Sequence, residues 1–166
     1  AFGDAAATGS AAVSARRDHK HGMPASPGAT LVPKTVDETV VSSTTLQNDD
    51  ALLWAAGANE VWSFFLYIRY TSTSGTPGIR YLFTVPAGAS MKGEGFGGGS
   101  TEDEDDMTVV TLQALTANNI QTIRKLGVVI MGGTAGNIQF QWAQNTSNAT
   151  ATTVLANSYI IAHKLA

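Results

Sequence analysis

The sequence predicts an all-β protein, a single β-sandwich or jelly roll of about eight strands with an extended N-terminal arm. Segments that alternate apolar and polar residues, rich in β-branched and aromatic side chains, recur after residue 36. Short clusters of Gly, Pro, Ser, Thr and Asn separate these segments. No segment has the periodicity of an amphipathic helix. A chain of 166 residues suits one domain with a sizeable core.

Two regions are expected, an attachment arm at residues 1–35 and the sandwich at residues 36–166. The first region is rich in Ala, Gly, Ser and Pro. Pro24, Pro27 and Pro33 keep its second half extended, because proline fixes φ and removes a backbone donor. Such a segment has too little apolar content to fold alone, so we expect it to contact another surface.

The strands are expected first at residues 39–45, which are dense in β-branched side chains, and then within residues 46–58. Residues 60–72 alternate, and one face is formed by Trp62, Phe64, Leu66, Ile68 and Tyr70. The other face is partly apolar as well, which favours a central strand covered on both sides. Residues 78–86 repeat the alternation, and the short polar link at residues 72–77 predicts a hairpin between these two strands.

The remaining strands are expected at residues 107–115, 121–131, 137–143 and 152–165. Between the two halves, residues 93–106 predict a surface loop with three consecutive glycines and five consecutive acids. The acidic run at residues 102–106 lacks the interleaved spacing of calcium loops, so we expect a solvated segment. No Lys-Ser or Lys-Thr follows the glycines, so no phosphate-binding loop is indicated.

Composition excludes several classes of function. Charged residues make up 14% of the chain and the formal net charge is -3, which argues against nonspecific nucleic-acid binding. The absence of cysteine excludes disulfides, thiolate metal sites and cysteine nucleophiles. The apolar runs are too short to span a bilayer, so no membrane insertion is expected. No targeting signal opens the sequence, which predicts a soluble protein made in the cytoplasm.

No catalytic constellation is evident, so the sequence predicts a protein that is not an enzyme. His163 is the only histidine outside the arm and ends an apolar segment, which favours a core or rim histidine over a general base. The carboxylate pairs at residues 37–38 and 49–50 lie in polar breaks, where we expect water to keep them ionised. The aromatic residues favour core or subunit interface over a sugar-stacking platform; they are Trp54, Trp62, Tyr67, Tyr70, Tyr81 and Trp142.

His19 and His21 form the candidate metal site. One residue separates them, so in extended backbone both imidazoles point the same way. Three symmetry-related copies would supply enough imidazole ligands for a divalent transition metal such as iron or zinc. The alternative is a solvated charged patch in which the histidines bind nothing.

The arm also resembles a known module. Residues 2–12 (Phe-Gly-Asp-Ala-Ala-Ala-Thr-Gly-Ser-Ala-Ala) and residues 15–24 (Ala-Arg-Arg-Asp-His-Lys-His-Gly-Met-Pro) are similar to a short segment of tailed-bacteriophage structural proteins. This segment occurs in tail fibres, other trimeric appendages and small virion proteins, and Asp-His-x-His is its most specific part. Residues 44–50, with Trp62 beyond them, resemble small phage virion proteins more loosely.

The resemblance implies a non-enzymatic virion structural protein, a homotrimer attached to capsid or tail proteins through residues 1–35. It would be a capsid decoration, a head fibre or a tail appendage, made in the bacterial host cytoplasm. The alternative is a receptor-binding module of a tail fibre or spike that binds glycans of the host surface. In some trimeric phage fibres His-x-His motifs hold iron on the threefold axis, which here concerns His19 and His21 alone.

Two arrangements of the arm remain open. Three arms that converge on an axis would hold a metal ion. That ion is the only cofactor that the His19 and His21 site implies. Arms that splay over a neighbouring shell protein would be free of metal, and we favour this arrangement because no fibre shaft precedes the module to bring three copies together. Elemental analysis of particles purified without chelator separates the two: convergence gives about one metal per three chains, and splayed arms give none.

Overall fold

Two antiparallel β-sheets pack face to face in this computed structural model, which describes residues 28–95 and 105–166. Those residues contain no helix, so the predicted all-β class is confirmed. The core consists of side chains from both sheets, which is the arrangement of a β-sandwich.

Twelve strands occur among the described residues, rather than the eight or so that the alternation predicted. In chain order they are β1 (Thr30–Pro33), β2 (Glu38–Val40), β3 (Gln47–Ala56), β4 (Val61–Thr71), β5 (Ile79–Thr84), β6 (Ser90–Gly95), β7 (Asp105–Asp106), β8 (Thr111–Gln113), β9 (Gln121–Ile130), β10 (Gly136–Ala143), β11 (Thr152–Val154) and β12 (Tyr159–Lys164). Five of them have four residues or fewer, too few to show an alternating pattern.

The large sheet has eight strands and the small sheet has four. The order in the large sheet is β1-β12-β4-β9-β6-β7, and β11 pairs with both β4 and β2. The order in the small sheet is β3-β10-β5-β8. β4 lies between β12 and β9, so the predicted central position of residues 60–72 is confirmed. The expected cover on both faces is not found among the described residues, since the outer side chains of β4 are only partly buried.

The predicted hairpin between β4 and β5 is wrong, because these strands belong to different sheets. One edge of β4 is paired with β9, and the other is paired with β12 and β11, so no edge remains for β5. The link between the two strands therefore crosses from one sheet to the other. At its end Gly78 has a φ of 57°, and its carbonyl accepts a hydrogen bond from Thr152 Oγ1.

The large sheet begins within the segment that the sequence assigned to the arm. Residues 30–33 form β1, an edge strand in register with β12, where Leu31 lies opposite Ile161. The Lys34 amide continues this pairing by donating to the Ser158 carbonyl at 2.8 Å. Residues 1–27, with most of the predicted arm, lie outside the described residues.

The five residues that the alternation placed on one face of β4 form one side of the core. All five side chains are buried: Trp62, Phe64, Leu66, Ile68 and Tyr70. Across the sandwich Phe64 contacts Trp54 of β3 and Phe83 of β5, with ring centroids 6.3 and 5.9 Å apart. Such aromatic pairs contribute about 0.5–1.5 kcal/mol each beyond the area that they bury.

Gly127 of β9 makes room for this aromatic cluster. It lies opposite Phe64 in the large sheet, and a Cβ at this position would approach Phe64 Cε1 to 2.7 Å and collide with the Lys92 carbonyl oxygen. A glycine is therefore required where β4, β9 and β6 meet under the core.

Gly127→Ala is expected to destabilise the fold by about 1–3 kcal/mol, because the added methyl group overpacks the core. The measurement is the free energy of unfolding from urea denaturation. Gly133→Ala is the matched control, since a Cβ there has no atom within 4 Å. Equal stability of the two variants would contradict this account of Gly127.

Glu60 ties the turn before β4 to the end of β12. Its Oε2 accepts hydrogen bonds from the Gly57 amide at 2.6 Å and from Trp62 Nε1 at 3.0 Å. Its Oε1 accepts a charged hydrogen bond from Lys164 Nζ at 2.7 Å. The bond from Lys164, followed by those from Gly57 and Trp62, lowers the pKa of Glu60 to about 2.

This lowered pKa predicts that Glu60 stabilises the fold above the ordinary pKa of 4.5 and loses that effect as the pH falls toward 2. Glu60→Gln is therefore expected to flatten the fall in unfolding free energy between about pH 6 and about pH 3. Asp50→Asn is the control, since it removes the same charge from an exposed residue. A pH dependence unchanged in Glu60→Gln would count against the assigned hydrogen bonds.

Candidate functional site: the outer face of the large sheet

The outer face of the large sheet carries apolar side chains that the strand register aligns in rows. One row runs across four strands through Leu31, Ile161, Phe65 and Leu126. Three further rows lie beside it. We define the outer face by its apolar members: Leu31, Val61, Phe65, Tyr67, Leu126, Val128, Ile130, Tyr159 and Ile161.

Much of this apolar surface is accessible. Leu31, Leu126, Val128, Ile130 and Ile161 are each between 38% and 61% exposed. Single exposed hydrophobic residues are ordinary, whereas an adjacent set of them marks an interaction site. The outer face therefore has the character of a contact surface.

The outward side of the small sheet provides a contrast within the same molecule. There β10 presents Gln139 and Gln141, and β5 presents Arg80 and Thr84. Leu82 lies opposite Gln141 on that side, and Leu112 lies opposite Arg80 and is 53% exposed. Polar and apolar residues are thus mixed there, whereas the outer face of the large sheet has adjacent apolar rows.

Charged residues border the outer face. Lys92 and Glu94 of β6 lie opposite Val128 and Leu126 of β9, and Arg124 lies opposite Tyr67. An apolar centre with a polar rim is the usual composition of a protein interface.

Two tyrosines form the aromatic part of the outer face. The rings of Tyr67 and Tyr159 stack with centroids 5.3 Å apart and an interplanar angle of 26°. Beside Tyr159 lies an open depression of about 440 Å³, whose lining includes Leu31, Asn157 and Ile161. A second open depression, of about 300 Å³, lies between β4, β9 and β6 over Gly127.

The sequence placed Tyr67 among the aromatic residues of core or interface, and it lies on the outer face. The other five of that set are buried in the core: Trp54, Trp62, Tyr70, Tyr81 and Trp142. Burial raises the pKa of Tyr81 to about 12. Sequence reasoning did not single out Tyr159, nor the alternating Leu126, Val128 and Ile130, although that alternation was visible.

The predicted metal ligands His19 and His21 lie outside the described residues, so the metal site stays a prediction. Within the part of the chain that the structure describes, no group of three or more His, Asp or Glu side chains is arranged to hold a metal ion. His163 lies on the outer side of β12 next to Ser63, and the Ser63 hydroxyl donates to its main-chain carbonyl at 3.5 Å.

The acidic run is described only at its end, where Asp105 and Asp106 form β7. Asp105 binds Lys125 Nζ at 2.6 Å, and Asp106 lies 3.6 Å from Lys92 Nζ. Hydrogen bonds from the Thr108 hydroxyl and amide lower the pKa of Asp106. These two acids are thus half-exposed partners of lysines rather than wholly solvated side chains.

Asp49 contradicts the expectation that the carboxylate pairs are solvated. Its side chain is fully buried, and Oδ2 lies 2.9 Å from the Nζ of Lys34. The same Nζ lies 2.7 Å from Glu38 Oε2. Burial lowers the pKa of Lys34, but the hydrogen bonds to Glu38 and Asp49 outweigh it and raise that pKa overall. The partner of Asp49 is 15 positions away in the chain, which no local pattern reveals.

No protein-family model matches this chain, and no curated protein is significantly similar to it. Among the described residues no helix is long and apolar enough to cross a membrane.

Proposed function

We propose that this chain is a non-enzymatic structural protein of a bacteriophage virion that assembles as a homotrimer and attaches to the particle through its N-terminal arm. The observation that carries the proposal is the outer face, a broad set of exposed apolar side chains on an otherwise well-packed sandwich. The resemblance of residues 2–12 and 15–24 to a module of phage structural proteins supports the choice of particle.

A second copy of the chain suits the outer face. Burial of Leu126, Ile161 and their neighbours would remove apolar surface from water, which is the main favourable term in protein association. Lys92, Glu94 and Arg124 would lie at the rim, where charges set orientation at little desolvation cost. In a closed threefold ring each copy would offer this face to a different patch of its neighbour.

The start of the described chain supports attachment through the arm. Gly28 leads directly into β1, which is an edge strand of the large sheet. Residues 1–27 are therefore joined to the sandwich at an edge of the large sheet, close in the chain to Leu31 of the outer face.

Leu126→Glu tests the role of the outer face. The molecular mass obtained for the wild-type protein by sedimentation is expected to be three times the 17.3 kDa of one chain. The dissociation constant of the variant's trimer is expected to be at least about 100-fold higher than that of the wild type, because an unpaired charge would be buried at the interface. Leu112→Glu is the matched control, since Leu112 is exposed on the small sheet. Sedimentation velocity at micromolar concentration is the measurement.

Two results would contradict the trimer proposal. One is a wild-type chain that stays monomeric both free and on particles. The other is equal dissociation of Leu126→Glu and Leu112→Glu, which would place the interface elsewhere.

The attachment proposal is tested on purified particles. Quantitative mass spectrometry is expected to find the chain in the virion. A copy number that matches the capsid lattice identifies a decoration or head fibre, and a small multiple of three identifies a tail appendage. Absence from the particles would overturn the virion assignment and leave the trimer measurement standing.

The second candidate, a module that binds host-surface glycans, is favoured by one observation. Tyr67 and Tyr159 present stacked rings on the outer face beside the depression lined by Asn157 and Thr35. Aromatic faces with nearby hydrogen-bonding groups are typical of ligand sites. Binding of host polysaccharide that is lost in Tyr159→Ala and kept in Leu112→Glu would support this function over simple decoration.

A further inference from the structure

Lys34, Glu38 and Asp49 form a buried cluster that links the two sheets. Lys34 follows β1 of the large sheet, and Asp49 lies within β3 of the small sheet. Lys34 Nζ lies 2.9 Å from Asp49 Oδ2 and 2.7 Å from Glu38 Oε2. The side chains of Lys34 and Asp49 are 3% and 0% exposed, so water has little access to the contact.

This cluster contains the groups that form an amide. A lysine amine is a nucleophile once it loses its proton, and here it contacts a carboxyl group. Glu38 contacts the same nitrogen and is placed to act as a base. Asp49 Oδ1 accepts hydrogen bonds from the amides of Ala51 and Leu52, both at 3.0 Å. Paired amide donors of this kind stabilise the oxyanion that forms when a nucleophile adds to a carboxyl carbon.

We propose that Lys34 and Asp49 condense within the folded chain to form an isopeptide bond, with Glu38 as the catalytic residue. The bond would join β1 of the large sheet covalently to β3 of the small sheet. This inference stands apart from the virion proposal, since it concerns one folded chain.

The reaction balances without a co-reactant. Glu38 carries a proton from Lys34 Nζ to Asp49 Oδ2, which converts the ion pair into an amine and a carboxylic acid. The amine attacks Asp49 Cγ, the C–N bond forms, and the negative charge gathers on Oδ1. Glu38 carries a second proton from Nζ to Oδ2, the C–Oδ2 bond breaks, and water leaves. Glu38 ends as a carboxylate, and nothing is oxidised or reduced.

Position and burial both favour the reaction. The fold holds the amine beside the carboxyl group, so the encounter costs no translational entropy. The reaction starts from the ion pair between Lys34 and Asp49. The raised pKa of Lys34 opposes the first step, in which Nζ loses a proton, so position and burial must outweigh it. Condensation removes one buried positive and one buried negative charge, each of which is costly to keep away from water.

Intact mass spectrometry of the full denatured chain tests the proposal. The wild-type chain is expected to be lighter than its sequence mass by one water molecule. Fragmentation of a digest is expected to place the link between Lys34 and Asp49. Lys34→Arg keeps the positive charge but has no primary amine, and Glu38→Gln keeps the size but has no base. Both variants are expected to show the full sequence mass.

The control is Lys125→Arg, which alters another buried lysine that is paired with an aspartate; it is expected to keep the mass deficit. Three results would overturn the proposal: a wild-type chain of full sequence mass, a water loss mapped to other residues, or a deficit that persists in Lys34→Arg. A deficit that persists in Glu38→Gln would overturn the role given to Glu38. The wild-type measurement does not depend on whether any variant folds.

Discussion

The outer face of the large sheet depends on the packing of Phe64 against the small sheet. The inner row of β4 is wholly apolar, whereas its outer row is mixed and includes Ser63 and Arg69, and a shift of one residue would exchange the two rows. Gly127 lies opposite Phe64 and leaves space for its ring, which reaches Trp54 and Phe83 across the core. With this register, Phe65 and Tyr67 turn outward, so the same constraint that orders the core also creates the outer face.

Structural features that depend on long alternating segments could be predicted from the sequence. β4 has eleven residues, and its inner row and central position followed from its pattern. The predicted β4–β5 hairpin was wrong because a short polar link has the same composition whether it forms a hairpin within one sheet or crosses to the other sheet. Asp49 was expected in water because its neighbours in the chain are polar, whereas its partner Lys34 comes close only in the folded chain. The partly apolar second face of β4 and the alternation of Leu126, Val128 and Ile130 were the signals of the outer face in the sequence.

The outward sides of the two sheets differ in residue composition. The outward side of the small sheet mixes glutamine, arginine and threonine with the leucines Leu82 and Leu112, while the large sheet exposes leucine, isoleucine and valine in adjacent rows. A subunit whose adjacent apolar rows lie on one sheet would pack with others through that sheet in a defined orientation. Packing through a sheet face requires a broad surface with an apolar centre and a polar rim.

The position of β1 has a mechanical consequence. A pull on the chain ahead of Gly28 acts first on β1, whose hydrogen bonds to β12 lie side by side. Force directed along a strand strains such bonds together rather than one after another. Immediately behind β1, Lys34 is held to Asp49 in the opposite sheet. A pulling force on the arm would thus load both sheets at once. The two sheets would then resist the force together, and β1 would not separate first from the edge of the large sheet.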